Sequence, residues 1–213
     1  MKLAWIVLTV LLLAAVVYLG HQQPFLAKQS STAQGSATPS PSPNSSHRLA
    51  DSMQRKLDHI RENGESPNPD STPTVITEEE ANDYFAAGRV KLPQGVKNVV
   101  LEGKEGVIDA SVDVDFDAIR AGQRSSNPLL SIFTGVHKVQ VVADAAGSGG
   151  EGKVHVRNIA LDGVEVPRTL LEIFVAKFVT PKYPNVGLDS HFQMPSRIDA
   201  ATVGYHKLTV VQK

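Results

Sequence analysis

Cysteine is absent from all 213 residues. Disulfides, thiol nucleophiles and cysteine-ligated metals are excluded together, and the chain suits any redox compartment because no thiol is present to oxidise. Charge of one sign is also missing: 21 Lys and Arg stand against 22 Asp and Glu, a formal net of −1. That balance gives no electrostatic footprint for nucleic acid or for an anionic membrane surface. The seven histidines include no H-x-x-x-H or H-x-H pair, the metal-ligand spacings. There is no G-x-S-x-G elbow, so nothing local marks a serine nucleophile. No period of about 20–50 residues recurs, which removes repeat folds.

What is present begins with Leu3–Leu19, LAWIVLTVLLLAAVVYL, an uncharged run. A spanning helix needs about 20 apolar residues, with about 17 at the short end. Trp5 and Tyr18 sit where interfacial aromatics lie, and Lys2 ahead of the run favours an N-in, C-out orientation. The run therefore reads as a transmembrane signal anchor over residues 1–20. A cleaved signal peptide is the alternative; cleavage after Gly20 would leave Tyr18 at the third position back, where a small residue is expected. Residues 21–46 turn to Gln, Ser, Thr, Ala and Pro and predict a disordered linker. Asn44-Ser45-Ser46 matches a glycosylation sequon, a three-residue pattern common by chance.

Leu49, Met53, Leu57 and Ile60 recur on one helical face and predict a short amphipathic helix over 47–64, ending at Asn63-Gly64. The stripe is narrow, so the helix is expected to dock weakly or to pair with another chain. A second linker covers 65–74. An extracytoplasmic α+β domain is expected over 75–213. It opens with a capping box at Thr77–Glu80, a helix anchored by Tyr84 and Phe85, and a stop at Gly88. The period then changes to two. Ile108, Ala110, Val112, Val114 and Phe116 alternate with Asp109, Ser111, Asp113 and Asp115, as an antiparallel strand with one wet face does. A helix is expected at LLSIFT, residues 129–134. Strands follow at 136–144 and 153–161, the second changing phase near Arg157-Asn158, which a β-bulge would reconcile. Asp162-Gly163 is a hairpin signal, and a last hairpin turns around Gly204.

The stretch Val164–Thr180 carries the functional question. After Pro167, Leu170, Leu171, Ile173, Phe174, Val175, Phe178 and Val179 spread over roughly 240° of a helix, where a helix on a sheet needs only about 100° or somewhat more. Such a helix must bury two sides, against protein on both or against protein and a ligand. The fold class expected is α+β: a curved antiparallel sheet packed on this long helix, preceded by the transmembrane helix and the tether. An apolar groove would be lined by Leu129, Phe133, Leu170, Phe174 and Phe178. The same side chains are equally suited to a dry two-sided core.

Other motifs have plainer accounts. Gly147–Lys153 fits G-x-x-x-x-G-K, but Val154 replaces the Mg²⁺-binding hydroxyl and a strand follows, so a glycine-rich hairpin loop is expected. Asp113, Asp115 and Asp117 open like a calcium loop, yet Ala118 and Arg124 stand where Gly and Glu are required; a solvated sheet face explains them. His155 is expected opposite about Val142 rather than His137. No catalytic residue, metal site or cofactor is assigned, and no enzyme is expected.

Four stretches, ITEEEANDYF, VIDASVDVDF, VEVPRTLLEIF and MPSRIDAATVGYHKLTV, make residues 76–213 similar to small membrane-anchored YpmS-like proteins and, more distantly, to tubular lipid-binding (TULIP-like) domains. The resemblance implies a curved sheet over a long helix enclosing a groove for acyl chains, and it brings no catalytic residues. The expectation is a single-pass, extracytoplasmic, lipid-binding protein whose partners are the membrane, a lipid or other apolar ligand, and an envelope protein. Nucleic acid is not among them. The rival expectation is a non-enzymatic interaction module of an envelope complex with a filled core.

Overall fold

Asp115 shows how local chemistry sets the element boundaries. Its Oδ1 accepts from the backbone N–H groups of Asp117 and Ala118 at 3.0 Å each, which caps a helical turn and stops the preceding strand. Phe116, expected as the last residue of that strand, is instead the first of a short helix, and it is still buried.

The computed structural model describes residues 44–92, 95–120, 132–181 and 187–213. The Leu3–Leu19 run, the linker as far as residue 43, Leu129 and the first half of the expected 129–134 helix lie outside the described residues. Ile132 and Phe133, from its second half, form a turn and a bend. In chain order the elements are α1 (Asn44–Glu65), β1 (Thr74–Thr77), α2 (Glu78–Ala86), β2 (Val96–Lys104), β3 (Val107–Asp115) and α3 (Phe116–Arg120). Next come β4 (Val136–Ser148), β5 (Glu151–Leu161), β6 (Val164–Glu165) and α4 (Arg168–Phe174), which runs on as a π-helical turn over Val175–Val179. Then follow β7 (Asp189–Gln193), β8 (Ile198–Gly204) and β9 (Lys207–Gln212). Among the described residues no helix is long and apolar enough to cross a membrane.

The fold is α+β with a nine-stranded antiparallel sheet. β4 outlasts β3. Asp144 is its last residue opposite β3, and on that same edge Ala146 and Gly147 then pair with Thr202 and Ala201 of β8. β9 and β1 continue from β8. The other edge of β4 holds β5, whose far side takes β6 at one end and β7 at the other. On β3, Ile108, Ala110, Val112 and Val114 are buried and the residues between them half-buried. Val142 faces Asn158 while Ala143 faces Val156, so Arg157 is the extra residue of a bulge where the strand changes phase. The turn is Gly149-Gly150, with φ of 62° and 81°, a conformation only glycine adopts freely at both positions. His155 therefore faces Asp144, two residues from the expected Val142, and His137 faces Val114.

Two further elements depart from the sequence reading. The long apolar helix is not formed. Pro167 and Pro181 bracket a helical run of Arg168–Val179, and the longest described helix is the amphipathic α1. Nor does α1 dock weakly. Ala50, Met53, Leu57 and Ile60 are 0–2% exposed and belong to the same core as the sheet. The reason is polar as well as apolar. Glu80, the reciprocal residue of the capping box, accepts from Thr77 N at 2.8 Å and also from Ser52 Oγ and Lys56 Nζ of α1 at 2.6 Å each. At the other end of α1, Gln212 donates to the Ile60 and Ser196 carbonyls and accepts from Asn63. The expected linker at 65–74 is pinned too, since Asn63 bonds both backbone groups of Asp70 at 2.7 Å.

Burial alone would raise the pKa of Glu80, but the hydrogen bonds from Lys56, Ser52 and Thr77 outweigh it and hold the carboxyl below its ordinary value near 4.5. Its stabilisation is then complete above that value and lost as pH falls through the folded one. Glu80→Ala is expected to cost about 2–4 kcal/mol near neutrality, since it removes charge-assisted hydrogen bonds from a buried site. Urea unfolding of both proteins should show that gap narrowing as the pH falls below the ordinary value near 4.5. Removing residues 1–43 should preserve one cooperative thermal transition. Removing residues 1–70 should give aggregated protein on size exclusion, because it strips α1 from α2.

Candidate functional site: a cleft between β5 and α4

Pro167, with φ −55°, presets the start of α4, and its carbonyl accepts from Leu170 N and Leu171 N at 2.9 and 3.2 Å. Five residues before the end, the pattern loosens: Thr180 N donates to Val175 O at 2.8 Å, the i to i+5 bond of a π-turn. Such turns inside helices recur at functional sites. The apolar arc is divided by this geometry. Leu171, Phe174 and Phe178 are 5%, 9% and 4% exposed, whereas Leu170, Ile173, Val175 and Val179 stay half-buried.

Of the residues expected to line a groove, the structure brings three together as one aromatic cluster. Phe133 and Phe174 have ring centroids 4.4 Å apart, and Phe174 and Phe178 5.2 Å. Phe116 meets Phe133 and Phe174 edge-on at 5.4 and 5.6 Å, the arrangement aromatic quadrupoles favour. Leu170 is half-buried against the hydrophobic core; Leu129 lies outside the described residues.

Open volume occurs nearer the start of the helix. A cavity of about 280 Å³ has Val156, Val166, Leu171 and Leu188 as its apolar walls, with Arg168 and Glu165 at its margin. The bulge at Arg157 bends β5 at this point, Val166 N bonds Ile159 O, and Val156 N bonds Leu188 O, both at 2.8 Å. Arg168 spans the rim, donating from Nη1 to Val156 O at 3.1 Å, from Nη2 to Asp189 at 2.6 Å and from Nε to Glu172 at 3.2 Å. The second oxygen of Asp189 pairs with His155 Nδ1. That bond, against the opposing effect of burial, holds the Asp189 carboxyl below its usual range, and the Arg168 charge adds to it. Arg157 grips Asp144 through two nitrogens, at 2.8 and 2.5 Å. The lining thus sets Val156, Val166, Pro167, Leu171 and Leu188 beside Arg157, Asn158, Glu165 and Arg168, with the two arginines paired to carboxylates. It suits a molecule with an apolar body and a polar end.

The aspartates read as a wet sheet face are engaged in structure: Asp113 with Asn98 and Lys138, Asp115 as the cap of α3, and Asp117 with Gly135 N. Among the described residues no three potential ligands gather at one point. Sequence reasoning missed Val156, Val166 and Leu188 as cavity walls, although the phase change at Arg157 and the proline at 167 marked where strand and helix diverge. Comparison of the chain with protein-family models, with curated proteins and with solved structures found no match.

Because Phe178 is packed against Phe174, Phe178→Ser is expected to leave a cavity and cost about 3–5 kcal/mol in chemical denaturation. A loss below about 1.5 kcal/mol would show that the site relaxes, and would return Phe178 to the list of groove residues.

Proposed function

We propose that this chain is a membrane-tethered extracytoplasmic domain that binds a lipid or another long apolar ligand, without turning it over, in the cleft between β5 and α4. The observation that carries the reading is the cavity of about 280 Å³ walled by Val156, Val166, Leu171 and Leu188. It opens on a helix whose Leu170, Ile173, Val175 and Val179 are left half-buried. A volume near the lower end of the usual ligand-site range of about 300–1,000 Å³ suits one apolar segment rather than a bulky body. The Leu3–Leu19 run supplies the anchor, with the N-terminus inside and residues 44–213 outside the cytoplasmic membrane. The likeness of residues 76–213 to tubular lipid-binding domains favours the same ligand class.

One observation favours the rival, an interaction module of an envelope complex. Phe116, Phe133, Phe174 and Phe178 occupy one another's contact surface, as a filled core would. The two readings separate by direct measurement. The purified chain should release a lipid on organic extraction, identified by mass spectrometry, and the stripped protein should take up a fluorescent fatty acid with saturation. Leu188→Trp, which fills the cavity, should weaken that uptake about tenfold, equivalent to about 1.4 kcal/mol of binding, with the circular dichroism spectrum retained. No extracted lipid and no saturable uptake would leave the interaction module standing.

A further inference from the structure

The far edge of β5 is covered by strands at its two ends and not between them. β6 pairs with Ala160 and Leu161, and β7 with Glu151–His155, so no described strand lies opposite Val156 to Ile159, and the cavity lies along that gap. The registers place its lining on both faces of the sheet. Val156 stands opposite the buried Ala143, on the core face. Asn158 stands opposite Val142, and Glu165 opposite Ala160, which itself faces Gln140. Gln140 and Val142 alternate with the buried Val141 and Ala143, so Asn158 and Glu165 share the outer face as diagonal neighbours across β5 and β6. Such neighbours stand about 7–8 Å apart, which leaves room for one small group to reach both side chains.

The charges along the cleft are unevenly matched. Arg157 is held by Asp144 through two nitrogens, and Arg168 by Asp189, Glu172 and the Val156 carbonyl. The hydrogen bond from Arg157 keeps the Asp144 carboxyl below its usual range, against the effect of burial, so that pair stays ionised and closed. Asn158 and Glu165 differ: among the described residues neither side chain has a hydrogen-bond or ion-pair partner. Two guanidinium groups thus stand against the carboxylates of Asp144, Asp189, Glu172 and Glu165, and of these Glu165 is unpaired. His155, bound to Asp189, lessens that excess by one charge when protonated and does not reverse it.

A carboxylate or phosphate entering the cleft would find both guanidinium groups occupied. A cation would find an open carboxylate and an open amide oxygen beside apolar walls. Both are acceptors, and an ammonium group brings three donors and no acceptor. Hydrogen bonds between ionised partners are also the stronger kind.

We infer that the cleft between β5 and α4 takes a single-chain primary amine, with its alkyl chain against Val156, Val166, Leu171 and Leu188 and its ammonium group between Glu165 and Asn158. The inference rests on the proposed reading of the cleft as a site for a long apolar ligand. An aminophospholipid headgroup carries the same ammonium but adds a phosphate, for which the described lining holds no open cation. The free amine is therefore the source.

The full chain in phosphatidylcholine nanodiscs is loaded with a fluorescent fatty acid, with empty nanodiscs as the blank. The probe is then displaced with hexylamine, hexanol, hexanoate or the hexyl ester of phosphoethanolamine. Hexylamine, protonated at neutral pH as a lysine side chain is, should act at about fivefold lower concentration than hexanol, the upper range for a partly exposed ion pair. Hexanoate and the phosphoethanolamine ester should be weaker than hexylamine. Glu165→Gln, a change at an exposed position, should bring hexylamine to the level of hexanol. Glu105→Gln removes the same charge from the turn between β2 and β3 and should keep the gap. Equal displacement by all four compounds would overturn the inference and leave the lipid reading standing. Strongest displacement by hexanoate would overturn it in favour of the arginines, and by the phosphoethanolamine ester in favour of a lipid headgroup. A gap that survives Glu165→Gln would overturn it as well. A probe that never binds with saturation would overturn the reading of the cleft and the inference together.

Discussion

The edge of β4 is shared between two strands, and the rest of the structure follows from that constraint. β3 covers the edge as far as Asp144, but β4 continues to Ser148. A strand buried in a sheet cannot leave its backbone groups unpaired at modest cost. β8 takes over at Ala146 and Gly147, the Gly106 carbonyl accepts from Ala145 N at 3.0 Å, and Gly106 N in turn donates to Val203 O. One edge with two successive partners makes the sheet diverge, with β8, β9 and β1 leaving in a different direction from β3 and β2. The apolar faces of both branches then need a cover. α1 and α2 supply it, tied by the Glu80 carboxylate at one point and the Gln212 amide at another. Gln212 is 3% exposed and has both an accepted and two donated hydrogen bonds, so its burial costs little.

That dependence explains which parts of the fold could be read from sequence. Signals confined to one element were legible: the alternation of Ile108–Val114, the capping box of Thr77 and Glu80, the phase change at Arg157, and the Asp162-Gly163 turn. Each is set by neighbours within a few residues. What failed depended on distant partners. Glu80 as a cap is visible from its spacing to Thr77, but its grip on Ser52 and Lys56, across 28 and 24 residues, leaves no periodic trace. The stretch DSHFQ shows no clean apolar alternation, yet forms β7 because the edge of β5 offers it five paired positions. α1 looked weakly docked because its stripe is narrow. A narrow stripe is sufficient when the residues flanking it carry ionic and amide contacts as well.

The candidate site shows the same division. The excess of apolar residues between Leu170 and Val179 was legible, and so was the conclusion that one face of a sheet could not absorb it. How the excess would be distributed was not. Three of the four clustered phenylalanines come from segments 58 or fewer residues apart in contact geometry that no spacing rule encodes: Phe116 and Phe133 arrive from α3 and from the segment before β4 to meet Phe174. Rings satisfy one another well at these distances, so the phenylalanines turn inward and the aliphatic residues are left at the flank. The cavity forms one turn earlier, where the bulged strand bends from the helix and Leu188 returns to β5.

The exposed strand β6 and the cavity are neighbours in the chain. Val164 faces Leu161 at the edge of β5, Val166 two residues later is a cavity wall, and Pro167 and Arg168 begin α4. The exposed Val164 side chain therefore stands two residues from the cleft, whose lining includes Arg168, itself paired with Asp189. The cleft follows from two local events: the extra residue at Arg157 bends β5, and Pro167 turns the chain into α4 at the same level. Between them Val156, Val166, Leu171 and Leu188 cannot close on one another, and Arg157, Glu165 and Arg168 line the same space. Apolar and charged surface therefore lie side by side there because strand and helix diverge.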